Sequence, residues 1–165
     1  MRHLSLFFFL LFSLSGFSQT FSIARKDSVY ELILTTGQGI SDRWKLSGPV
    51  YQFQTGDVNG DGHINAMVGV IRKTRFHPMG KRLFIFKNVN GRIRPLWMGS
   101  KLGGILVDFR FIDGKIRSLE TTTDNQYVVA EYQWDDFGMS FIRFLAVKVS
   151  YDEAISIFNP VTYKQ

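Results

Sequence analysis

Residues 57 to 65 read Asp57-Val58-Asn59-Gly60-Asp61-Gly62-His63-Ile64-Asn65, which sets short oxygen-bearing side chains at alternate positions around two glycines. A hard cation needs that arrangement from a single loop. Calcium takes about six to eight oxygens at about 2.3–2.6 Å, and a loop can present them from positions 1, 3, 5, 7 and 9 if a glycine at position 6 allows the sharp turn. Asp57, Asn59, Asp61, the backbone carbonyl of His63 and Asn65 occupy those positions, and Gly62 stands at the sixth. The spacing points to calcium (Ca2+) in a structural role. The same residue types also build a plain Asx/Gly turn without a metal, by hydrogen bonding to their own backbone.

The residues after the loop decide which elements hold it. A helical calcium hand, or the similar loop of dockerin modules, needs a ligand at position 12 and a helix behind it. Position 12 is Val68, and Met67-Val68-Gly69-Val70-Ile71 is β-branched around a glycine, poor for a helix and good for a strand. The loop is therefore expected between two strands. At this point the stretch Thr55-Gly56-Asp57 through Ala66-Met67-Val68-Gly69-Val70 resembles one FG-GAP (VCBS) repeat, whose pattern runs strand, Gly-Asp, calcium loop, apolar strand ending in Gly. The likeness covers about sixteen residues, and it implies propeller-like blade units. The family usually has Asp where this chain has Asn65 and a larger apolar residue at Ala66, so the resemblance implies a weaker ion site. The whole chain after the leader resembles short exported bacterial proteins, some labelled nuclear receptor-binding factor, a label that an export leader does not support.

Strand-like runs recur along residues 19–165: 29–35, 50–55, 66–72, 83–87, 92–98, 105–112, 115–119, 127–134 and 141–149. Asn90-Gly91 and Asp113-Gly114 sit between such runs and supply the positive φ angles of tight hairpins, so the expected fold is mainly antiparallel all-β. Alternation puts Val128, Ala130, Tyr132 and Trp134 on one face of their strand, with Val129, Glu131 and Gln133 on the other. It also groups Ile105, Val107, Phe109 and Phe111 opposite Asp108 and Arg110. Both strands are expected to be half buried. Ser150-x-x-Glu153 is a capping box, so a short helix over 151–158 should follow and stop at Asn159-Pro160, with Ala154, Ile155 and Phe158 facing the sheet. Trp44, Ser47, Phe53 and Asp57 recur as Trp97, Ser100, Phe109 and Asp113, about fifty residues on. At roughly fifty residues each, residues 19–165 hold about three such units, fewer than the roughly four to eight blades of ordinary propellers, so an open or incomplete stack, a compact non-propeller sheet, or closure only as an oligomer is expected.

The ends and composition set the context. Arg2 and His3 precede an apolar run, and Gly16-Phe17-Ser18 offers small residues before Gln19, the pattern of a signal peptide over 1–18. The expectation is an exported chain, periplasmic, cell-surface or secreted, with one domain over 19–165 and no stable membrane span after cleavage. Losing Arg2 with the leader takes the formal charge from +6 to +5. That excess reads as solubility, or, because Arg72, Lys73 and Arg75 cluster with Lys81 and Arg82, as a surface for acidic glycans or another envelope component. Nucleic acid is not expected as a partner. There is no cysteine, no zinc-type His pairing and no nucleophile elbow, and Asp136-Phe137-Gly138 is a hairpin turn rather than a kinase motif. Trp44, in the polar stretch Ser41-Asp42-Arg43-Trp44-Lys45, is a candidate sugar-stacking residue. The leading expectation is a non-enzymatic, calcium-stabilised binding or scaffold module. The alternative is a glycan-active enzyme or carbohydrate-binding accessory domain with a cleft joining Trp44 to Asp135 or Asp136.

Overall fold

The protein is described from a computed structural model that covers residues 19–75, 77–99 and 102–159. The expected leader, Ser100 of the fifty-residue echo and Pro160 lie outside the described residues. The chain is all-β with a short C-terminal helix, and its strands form three antiparallel sheets in chain order. The first sheet holds β1 (Thr20–Lys26), β2 (Val29–Thr36) and β3 (Gly39–Lys45). The second holds β4 (Val50–Gly56), β5 (Asn65–Arg72), β6 (Gly80–Val89) and β7 (Arg92–Met98). The third holds β8 (Ile105–Ile112), β9 (Lys115–Thr121), β10 (Tyr127–Asp135) and β11 (Gly138–Val149), and α1 (Tyr151–Phe158) closes the described chain. Each sheet is a simple meander in which every strand pairs with its neighbour in sequence.

Local chemistry accounts for the connections. Asn90 and Gly91, and Asp113 and Gly114, all adopt positive φ, so the two expected hairpins form as the residue types dictate. Asp136 does the same at φ 39°, turning β10 into β11 across the pair Asp135↔Gly138. The side chain of Ser150 accepts the Glu153 N–H, which satisfies one orphan donor of α1, and Asp152 and Glu153 stand in its positive first turn.

The sheets stack face to face, with a core between each consecutive pair of layers. Phe21, Leu32, Leu34 and Leu46 of the first sheet region meet Ala66, Val68, Val70, Phe84, Phe86 and Ile93 of the second. On its other face the second sheet offers Met67, Leu83, Ile85 and Trp97 to Phe109, Ile116, Ala130 and Tyr132 of the third. Leu119 and Val129 on the far face of the third sheet are covered by Ala154 and Phe158 of α1. The second sheet is therefore buried on both sides, which is why β5 and β6 read as continuous apolar runs. Among the described residues no sheet closes on itself, and the three sheets form an open stack.

Two expectations about faces are corrected here. Val107 is a bulge between the paired positions Leu106↔Glu120 and Asp108↔Leu119, and one extra residue reverses the alternation. Leu106 and Phe109 consequently share the core against the second sheet, Val107 turns toward α1, and Ile105 is left exposed. The strand 127–134 is not half buried either. Its Val129 face lies under α1, and Glu131 is buried because it carries two arginine partners. Two strands, β1 and β3, were not foreseen from the pattern.

The echoed residues occupy corresponding points in successive sheets. Trp44 and Trp97 lie in the last strands of the first and second sheets, Phe53 and Phe109 in the first strands of the second and third, and Asp57 and Asp113 just after those strands. Side-chain ties join the layers at these points. Gln54 accepts the Phe111 N–H at 2.7 Å and its amide approaches the Phe109 carbonyl, linking β4 to β8. A Cβ on Gly56 would fall 2.1 Å from the Phe111 ring, so the glycine of the Gly-Asp pair is required where β8 crosses β4.

Candidate functional site

The loop from Asp57 to Ile64 joins β4 to β5 and is closed by the pair Gly56↔Asn65. Val58 anchors it by inserting into the core between the second and third sheets. Gly60 and Gly62 have φ of +70° and +81° with open space around them, so conformation and not crowding demands glycine there. Those turns bring three of the expected ligands into one network. Asp57 accepts the N–H groups of Asp61 at 3.1 Å and Gly62 at 2.8 Å, one on each carboxylate oxygen. Asp61 accepts the His63 N–H at 2.9 Å on one oxygen and the Asn59 amide at 2.8 Å on the other. The Asn59 hydrogen bond is the main reason that the Asp61 carboxyl lies below its ordinary range, against the opposing effect of burial.

The remaining oxygen of Asn59 is the informative atom: Oδ1 is buried and has no donor. Buried acceptors are almost always satisfied, and an acceptor whose own amide lies on the Asp61 carboxylate suits a cation. Asn65 plays a different part. It is fully buried at the start of β5 and its Oδ1 accepts the Val58 N–H at 2.8 Å, which fixes the loop at its base. Among the described residues no three His, Cys, Asp or Glu side chains gather at one point, so a cation in this loop would depend on amide and carbonyl oxygens as well as on Asp57 and Asp61. Gln19 reaches the loop from outside, donating to the Ile64 carbonyl at 2.9 Å and accepting from Asn88 at 2.7 Å.

The other candidate residues are dispersed. Trp44 sits in β3, not in a loop, and its ring packs half-buried on Phe86 at 5.6 Å. Its polar neighbours are docking groups: Ser41 donates to the Gly91 carbonyl, and Asp42 accepts the Ile93 N–H at 2.7 Å. Asp135 and Asp136 belong to the β10–β11 hairpin of the third sheet, whereas Trp44 packs in the core between the first and second sheets. Arg72 donates to Ser47 at 2.5 Å and lies over the Phe84 ring, whereas Lys73 and Arg75 are exposed around a turn closed by Thr74 and His77. Lys81 donates to the Val107 carbonyl and lies 4.7 Å from the Tyr51 ring centroid.

Sequence reasoning missed two buried carboxylates of the third sheet. Glu120 accepts from Ser118 at 2.6 Å, from Tyr132 at 2.9 Å and from the Gly104 N–H. Burial, aided by the Glu120 charge, pushes the Tyr132 phenol up to about 12. Glu131 is bridged by Arg117 at 2.9 Å and Arg143 at 2.8 Å. The available signal was register: Glu131 pairs directly with Arg117 and with Arg143 across its two neighbouring strands.

A scan against protein-family models finds no match for this chain, and a search of curated proteins finds none. Among the described residues no helix is long and apolar enough to cross a membrane.

Proposed function

We propose that this chain is an exported β module of the cell envelope that binds or scaffolds without catalysing, and that calcium stiffens its β4–β5 loop. The buried, donorless Oδ1 of Asn59, whose amide nitrogen donates to Asp61, is the observation that carries the reading. Asp57, Asn59, Asp61 and the carbonyl of His63 would hold the ion, with Asn65 bracing the loop behind them. The likeness of 55–70 to an FG-GAP repeat supports the same assignment. Bound there, calcium would supply a positive centre for the Asn59 oxygen, which no donor meets, and for the carboxylates of Asp57 and Asp61. Two carboxylates suit the modest affinity of extracellular modules, with Kd on the order of 10⁻⁴–10⁻³ M.

The functional test is a screen of acidic glycans and envelope components against the purified exported protein, in calcium and in chelator. Saturable binding that weakens in chelator, with the glycan recovered intact, is expected. Turnover of any glycan in the screen would instead support the enzymatic alternative. A second expected result concerns the position at which the loop departs from the family. Asn65→Asp should lower the melting temperature in chelator, because it buries a charge at a fully buried site. The calcium-induced rise itself should stay about as in the natural protein, because Asn65 holds the Val58 N–H at the base of the loop; a clearly larger rise would make residue 65 a ligand position instead of a brace.

A further inference from the structure

A cleft of about 420 Å³ opens between the start of β6 and the segment that leads into β8. Its walls are Leu83, Trp97, Leu102 and Leu106, which belong to the core between the second and third sheets. Met79 and Ile105 stand at the lining with 68% and 52% exposure, large apolar side chains that no layer covers. Among the described residues the ionisable members of the lining are His77, Lys81 and Arg82, with no carboxylate. Its size falls in the range of about 300–1,000 Å³ in which clefts bury small organic ligands.

Two features make the cleft a prepared site. Its Gly104 wall is pinned from behind: Gly103 donates its N–H to the Tyr132 hydroxyl at 2.8 Å, and Gly104 donates to Glu120. Two carboxylates stand near the cleft without lining it: Glu120, to which Ser118, Tyr132 and Gly104 all donate, and Asp108, which like Arg82 acts electrostatically on Tyr51. On the opposite side the cations are held by neutral acceptors. Arg82 donates to the carbonyls of Lys81 and Pro78, and Lys81 donates to the carbonyl of Val107, so neither charge is cancelled by those bonds. The Nε of Arg82 is also buried without an acceptor, a donor whose isolation is costly.

We infer that this cleft binds a long-chain carboxylate, with the apolar chain against Leu83, Trp97, Leu102 and Leu106 and the carboxylate at Lys81 and Arg82. The inference names a ligand class for the binding module proposed above and rests on that reading. An apolar interior alone would accept any amphiphile. Lys81 and Arg82 in the lining, which donate to neutral carbonyls, favour an anion over a neutral or cationic head group, since a guanidinium hydrogen bond to a carboxylate is charge-assisted.

Laurate, dodecanol and dodecyltrimethylammonium, each below its micelle concentration, are the probes, titrated calorimetrically into the purified protein. Laurate is expected to bind at one site per chain at least tenfold more tightly than either of the others. Arg82→Gln should weaken laurate about tenfold and leave dodecanol unchanged. Leu102→Trp should fill the cleft and abolish binding; because that variant can lose its fold, Met79→Ala at the mouth is measured beside it and should weaken all three probes. Equal affinity for laurate and dodecanol, no saturable binding, or an Arg82→Gln protein that binds laurate normally would overturn the inference. The calcium response of the same sample separates the two claims. Laurate failure with an intact calcium-induced rise in melting temperature removes only the ligand, whereas loss of that rise with laurate binding intact removes only the metal.

Discussion

Glu131→Ala should destabilise the protein by about 3–5 kcal/mol, the range for breaking a buried ion pair from one side. Glu131 is 4% exposed and sits between Arg117 and Arg143. The two arginines are not equivalent. The Arg143 side chain is 62% exposed and can turn to water, but that of Arg117 is 13% exposed and also donates to the Ile157 carbonyl near the end of α1. Removing the carboxylate therefore strands Arg117 under the helix. Urea denaturation measures the loss. Replacing the pair together, Glu131→Leu with Arg117→Met, should recover most of it, because two apolar groups leave no uncompensated charge. A single variant within about 0.5 kcal/mol of the natural protein would refute the buried-pair account.

The same carboxylate gives the fold a pH dependence whose sign is fixed. Burial pushes the Glu131 carboxyl up, but the hydrogen bonds and charges of Arg117 and Arg143 outweigh it and hold the group below its ordinary range. The unfolded chain then takes up this proton first as pH falls. Stability from Glu131 is complete above the ordinary carboxylate value and is lost below about pH 5, toward the lowered native value. Glu131→Gln should flatten that acid limb.

Phe86→Ala is the second large effect, at about 3–5 kcal/mol for truncating a fully buried phenylalanine. Phe86 has no exposed surface and lies at the centre of the core between the first and second sheets, against Trp44 and Phe84. The truncation opens a cavity under Trp44, so the loss should come with a red shift in Trp44 emission, read in a background where Trp97 and Trp134 are phenylalanine. A destabilised protein with unshifted Trp44 emission would place the damage elsewhere than the first interface.

These two positions show how far the sequence carried. Phe86 lies in a run that already reads as a strand, and Asn90-Gly91 just beyond it signals the hairpin, so its place in a sheet was legible. The helix was legible in full, because Ser150 and Glu153 state its start in their own side chains. Glu131 was misplaced on a solvent face because alternation along one strand cannot show a helix lying over the other side. Val107 defeated the same rule from within its strand, since a bulge leaves no mark in a run of apolar residues. Strand β3 was hidden for a third reason: Ser41 and Asp42 are polar because they bond to Gly91 and to the Ile93 N–H of another sheet, and that made Trp44 look like a loop residue. In the β4–β5 loop the glycine-bearing turn after Asp57 was legible from the residue types, whereas the duty of Asn65 at the base of the loop was not.

Thermal unfolding of the purified protein, with and without calcium and with Asp57→Ala alongside, tests the central claim most directly. At calcium about tenfold above Kd, a ligand bound only to the folded state adds about 1.4 kcal/mol. For a domain of this size each kcal/mol is worth about 2–4 °C. A rise of about 3–6 °C in calcium, absent in chelator and absent in Asp57→Ala, is the result expected. An unchanged melting temperature at about 10 mM calcium, or an equal rise in Asp57→Ala, would contradict it.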